Sequence, residues 1–131
     1  MLDAAGDFIL KINLDELKKL TGETDAQAAL RSGMDKWPRG VLAITDGAAA
    51  AYLAAAGKTW RYAIPYIKVV SALGAGDTCS AVTLSEFLNG KSAIDAFACG
   101  LAAASANCLS ARAGEFDNAD AARLMPTVEA L

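Results

Sequence analysis

Two glycines and a carboxylate stand where an apolar run gives way to a helical one. Ser71-Ala72-Leu73-Gly74-Ala75-Gly76-Asp77-Thr78 separates the strand-like stretch Tyr66 to Val70 from the helix-like stretch Cys79 to Leu88. Strand, tight turn and helix in that order form the joint from which layered α/β folds are built. The first amides of a helix have no partner inside it, so a turn of this kind can bind an anion. Gly74 and Gly76 bring no Cβ between the main chain and a phosphate. Asp77 lies beside those donors, placed to take a proton from an attacking hydroxyl. An anion hole next to a carboxylate base is what phosphoryl transfer to an alcohol requires. The same residues also make an ordinary βα connection, with Asp77 favoured in the first turn by the helix dipole. Spacing alone does not separate the two.

The rest of the chain reads as helices alternating with strands. A short strand is expected at Phe8 to Lys11, then a helix opened by Asn13-Leu14-Asp15-Glu16 and closed near Gly22. Thr24 or Asp25 caps a second helix that ends at Trp37-Pro38. Val41 to Thr45 reads as a buried strand. Ala49 to Ala55 and Thr59 to Ile64 read as a hairpin around Gly57-Lys58. Beyond the Gly-Ala-Gly-Asp turn, a helix runs from about Asp77 to Leu88 and an Ala-rich one from Ser92 as far as Ala111. A last helix spans Asn118 to Met125. This pattern implies one domain over residues 1–131, an α/β fold with a mainly parallel sheet plus one hairpin.

Composition removes several chemistries. Histidine is absent, which excludes Ser-His-Asp and Cys-His catalysis and most zinc sites, and leaves carboxylates as the available bases. Twelve basic against fifteen acidic residues, with no basic run, argue against a nucleic acid or an anionic membrane as partner. No apolar stretch is long enough to span a bilayer, and Met1-Leu2-Asp3 lacks the basic start of a signal peptide. Cys79, Cys99 and Cys108 form no CxxC pair and read as free thiols of a cytoplasmic protein.

Other motifs read more plainly. Asn13 and Glu16 have the spacing of a capping box, the reading that spacing alone favours. Thr45-Asp46-Gly47 follows a buried strand and by itself reads as an ordinary Asp-Gly hairpin turn. The Ala- and Cys-rich helix through Asn107 reads as a core helix. Gly57-Lys58-Thr59 and Gly90-Lys91-Ser92 are not P-loops, because Tyr52 and Ser85 stand where the earlier glycine belongs. Cys79 likewise replaces the third glycine of a dinucleotide fingerprint.

Leu73-Gly74-Ala75-Gly76-Asp77-Thr78 resembles the C-terminal signature of the ribokinase-like (pfkB-type) carbohydrate kinases, where the turn reads Asp-Thr-x-Gly-Ala-Gly-Asp. The resemblance implies that Asp77 is the catalytic base and that Gly74, Ala75 and Gly76 form the anion hole. Lys11-Ile12-Asn13-Leu14-Asp15-Glu16-Leu17 is similar to the family's Lys-Pro-Asn-x-x-Glu-Leu segment, with Ile12 in place of proline. Through that similarity Asn13 and Glu16 would organise Mg²⁺. Thr45 and Gly47 would line the nucleotide, and Asn107, on a helix similar to the family's adenine-side helix, would face the base. Implied overall are a partial ribokinase-like, Rossmann-like three-layer α/β/α fold and ATP with Mg²⁺. The acceptor would be a sugar phosphate of the fructose-1-phosphate or tagatose-6-phosphate type.

The resemblance extends over nearly the whole chain but matches only about the C-terminal half of a family member. The sugar-contacting Gly-Gly motif and the lid have no counterpart in it. Ser71 also stands where the family has Asp or Asn, removing the usual brace of the turn. The expectation is a chain poorly active alone, associating as a homodimer or with an N-terminal half. The alternative is a non-catalytic nucleotide-binding or assembly module.

Overall fold

A computed structural model describes residues 8–47, 49–112 and 116–131. The chain divides into two compact units, one reaching Tyr62 and taking in Val128–Leu131, the other Ala63–Thr127.

The first unit is built on a five-stranded sheet in the order β1 (Phe8–Asn13), β2 (Gly40–Asp46), β3 (Ala50–Ala55), β4 (Lys58–Ala63) and β5 (Thr127–Ala130). β1 and β2 run parallel, in a register that sets Asn13 beside Thr45. β2 and β3 run antiparallel. The α/β class is therefore observed, but the sheet is mixed rather than mainly parallel. The reason lies in the connections: β1 reaches β2 through a helical crossover, while short turns join β2, β3 and β4 and reverse the chain.

That crossover holds α1 (Leu14–Thr21) and α2 (Ala26–Lys36). Leu14 and Leu17 of α1, Ala29 and Leu30 of α2, and Leu42, Ile44 and Ala54 of the sheet form one core cluster. Each fully buried leucine or isoleucine there contributes about 1.5–3 kcal/mol. Val41 and Ala43 are buried as well, so β2 is apolar on both faces. The β3–β4 turn is Ala56-Gly57, one residue earlier than the spacing predicts, with φ of 53° and 79°. Positive φ at both central positions gives the twist that two-residue hairpins favour.

The second unit packs α3 (Ala75–Leu88) against α4 (Ala93–Asn107), with α5 (Asn118–Arg123) beside α4. Small residues bring α3 and α4 close. A Cβ on Gly100 would strike Thr83 Oγ1 and would lie 2.7 Å from the Cys79 carbonyl. Ser92 caps α4, accepting from the Asp95 amide at 3.2 Å. α4 ends at Asn107, short of Ala111, and α5 ends at Arg123, short of Met125.

Tyr66 to Val70 is not a strand. Tyr66 is 93% exposed and Val70 63%. Pro65 has no N–H for a ladder, and the amides of Val70 and Ser71 both donate to the Cys108 carbonyl, at 2.7 and 3.1 Å. The run is irregular chain tied to the end of α4. Conversely, β5 follows Pro126 as a short strand wholly exposed and carries no apolar alternation to announce it.

Candidate active site

Among the described residues, side chains cap four of the five helices: Asn13 for α1, Asp25 for α2, Ser92 for α4 and Asp117 for α5. α3 is different. Its N-cap is Gly74, with φ 80° and ψ 0°, and no side chain caps it. The left-handed backbone there is one that glycine adopts without cost. Helix α3 accordingly starts at Ala75, two residues before the sequence places it, and Asp77 is its third residue.

This start decides which amides are open. The Ala75 N–H donates to the Ala72 carbonyl at 3.2 Å, and the Thr78 N–H to the Gly74 carbonyl at 2.9 Å. The amides of Gly76 and Asp77 have no acceptor among the described residues. Of the residues expected to form the anion hole, Gly76 thus has an open amide, and that of Ala75 is engaged. Gly76 and Asp77 are exposed. Nothing lies within 4 Å of where a Cβ on Gly76 would sit, and its φ is not positive. Neither packing nor backbone geometry asks for glycine at this position. The space a methyl group would take is open, beside two amides and the Asp77 carboxylate.

Ahead of the turn, Ser71 Oγ accepts from the Leu73 amide at 3.2 Å, so serine supplies a brace of its own. Asn107, expected on the adenine side, is fully buried, and its Nδ2 donates to the Leu73 carbonyl at 3.0 Å. That link between α4 and the turn was not legible in the spacing. Only an Asn among the alanines of the helix hinted at a polar task. Cys99 and Cys108, both free, are held above the ordinary thiol value by burial, with Glu86 adding to the effect at Cys99. Neither is a poised nucleophile.

In the first unit, Asn13, Glu16, Thr45 and Gly47 gather where β1 and β2 end, the edge of a parallel pair at which α/β proteins bind ligands. Asn13 Oδ1 accepts from the Glu16 amide at 2.8 Å, and Glu16 Oε1 accepts from the Asn13 amide at 3.2 Å. The capping box is real, and both residues are exposed. It engages one oxygen of Glu16, and Oε2 has no partner among the described residues. No cluster of three or more acidic, Cys or His side chains occurs among the described residues. The pair therefore fits a cation that keeps most of its waters, such as Mg²⁺, and not one that needs a protein cage. Gly47 is exposed, with φ 68°.

Comparison with known proteins bears out the fold. Phosphofructokinase-2 from Escherichia coli in complex with potassium superposes with a TM-score of 0.79 at 19% identity, over 92% of this chain and 41% of that one. Ribokinase from Arabidopsis thaliana complexed with ribose and ATP gives 0.75 at 25% identity, over 93% and 42%. A carbohydrate kinase from Agrobacterium tumefaciens gives 0.67 at 27% identity, over 94% and 41%. The chain thus spans about two fifths of the length of these structures. No curated protein matches the sequence. No helix among the described residues is long and apolar enough to cross a membrane. The family model for pfkB carbohydrate kinases matches residues 4–120, and the chain belongs to that family.

Proposed function

We propose that this chain carries the phosphoryl-transfer half of a cytoplasmic carbohydrate kinase that moves the γ-phosphoryl of ATP to a hydroxyl of a sugar phosphate. The acceptor class is that of fructose-1-phosphate or tagatose-6-phosphate. One observation carries the reading: the uncapped start of α3, with two open amides, unfilled space at Gly76 and the Asp77 carboxylate alongside. The Gly76 and Asp77 amides would hold the charge that spreads over the phosphoryl oxygens as the bond to ADP breaks. One preorganised donor of this kind is worth about 3–4 kcal/mol in a transition state. Asp77 would take the proton of the acceptor hydroxyl as the new O–P bond forms. Glu16 and Asn13 would position Mg²⁺, which offsets triphosphate charge when bound. Thr45 and Gly47 would line the nucleotide.

The chain spans about two fifths of the matched structures, and this favours weak or no turnover by the chain alone. Acceptor-binding energy orients the hydroxyl for attack, and without it the base and anion hole work on a loosely held substrate. For the same reason β1, which among the described residues ends the sheet and pairs with β2 alone, is read as an edge for added strands from an N-terminal half or a second copy. Calorimetric titration with Mg-ATP, followed by a phosphoryl-transfer assay over a panel of hexose phosphates, tests the proposal. Binding with turnover supports the kinase. Binding without turnover supports a nucleotide-binding module of kinase descent. Absence of binding refutes both.

A further inference from the structure

Leu73, the residue before the anion-binding turn, is placed by its main chain. Its side chain is 70% exposed. Both peptides that flank it are held instead, the first by Ser71 Oγ at 3.2 Å on the Leu73 N–H, the second by Asn107 Nδ2 at 3.0 Å on the Leu73 carbonyl. The end of α4 also takes the Val70 and Ser71 amides on the Cys108 carbonyl. Of these contacts, only that of Asn107 reaches the peptide that enters Gly74. Glycine has the widest backbone freedom of any residue, so a turn pivoting on Gly74 at φ 80° needs its neighbouring peptide held from outside. Asn107 is fully buried, which fixes its rotamer and makes it a rigid point of attachment.

We propose that Asn107 is a positioning residue for the anion-binding turn. Through the Leu73–Gly74 peptide it aims the Gly76 and Asp77 amides at a polyphosphate, and it does not read the nucleotide base. The inference rests on the function proposed above, and inorganic tripolyphosphate separates the two. A base reader affects ATP alone, while a residue that aims the turn affects every ligand held by its phosphates.

Calorimetric titration with Mg-ATP and with Mg-tripolyphosphate, on the native chain and on Asn107→Leu and Ser71→Ala, tests this. Asn107→Leu is expected to weaken both ligands by the same factor, about tenfold or more for loss of a buried hydrogen bond. Ser71→Ala, at a part-exposed position, is expected to weaken both by a smaller common factor. Retained tripolyphosphate affinity in a folded Asn107→Leu overturns the positioning role and leaves the proposed function standing. Failure of the native chain to bind either ligand refutes both. If Asn107→Leu does not fold, the side-chain amide resonance of Asn107 in the native chain gives the answer. It should move with tripolyphosphate and stay still with adenosine, and movement with adenosine overturns the proposal.

Discussion

At the start of α1, Asn13 and Glu16 close on each other's backbone and satisfy the helix end from within. At the start of α3, Gly74 offers no side chain, and the amides of Gly76 and Asp77 are left to whatever arrives from solvent. Both ends carry acidic side chains in the first helical turn, Asp15 and Glu16 at α1 and Asp77 at α3. A cap is worth about 1 kcal/mol to a helix. Forgoing it at α3 lowers local stability and leaves donors for a ligand, which is the trade a binding site makes. Gly76 sharpens the contrast, because alanine would suit the helix better and would fit the protein around it.

The comparison breaks first at Asp77. Asp77→Asn keeps the turn and removes the proposed base, so turnover in any preparation that shows it should fall about 10²–10⁴-fold. Mg-ATP affinity should hardly change. Unaltered turnover in a phosphoryl-transfer assay contradicts the base assignment. Next comes Gly76→Ala, which puts a methyl group into the open space. Mg-ATP affinity should drop at least about tenfold, while melting shows a native or raised stability, by about 0.4–1 kcal/mol. A destabilised variant with native affinity would mean that the glycine serves the fold. Asn13→Ala opens the other helix end and should cost about 1 kcal/mol of stability in denaturant unfolding. No loss would show that the capping box is idle.

The smallest effect is in pH. Burial raises Cys99 and Cys108 above the ordinary value of 9.0, so the folded chain keeps these protons longer than the unfolded one does. Their contribution to stability is present below that value and lost as pH rises past it. Replacing both with serine should flatten the decline in melting temperature on the alkaline side.

Much of this was legible in the residues themselves. Asn13, Asp25 and Ser92 announce three helices because a polar side chain before an apolar period is a local device with a local partner. Gly74, Gly76 and Asp77 announced the turn for the same reason. What stayed hidden depends on distant partners. Tyr66 to Val70 has the composition of a strand, yet the Cys108 carbonyl takes the amides at its end. The bond from Asn107 to the Leu73 carbonyl was hidden because nothing near Asn107 in sequence marks Leu73 as its partner. α3 begins two residues early because a glycine cap leaves no side-chain signal. β5 escaped notice because an exposed four-residue strand has no buried face to pattern.

Everything depends on whether the open amides of α3 receive a phosphate. Amide resonances followed during a titration with Mg-ATP test this directly. The Gly76 and Asp77 signals should move together and saturate, while the Asp95 amide, already held by Ser92, stays in place. Movement confined to other parts of the chain, with Gly76 and Asp77 unchanged at saturation, would contradict the account.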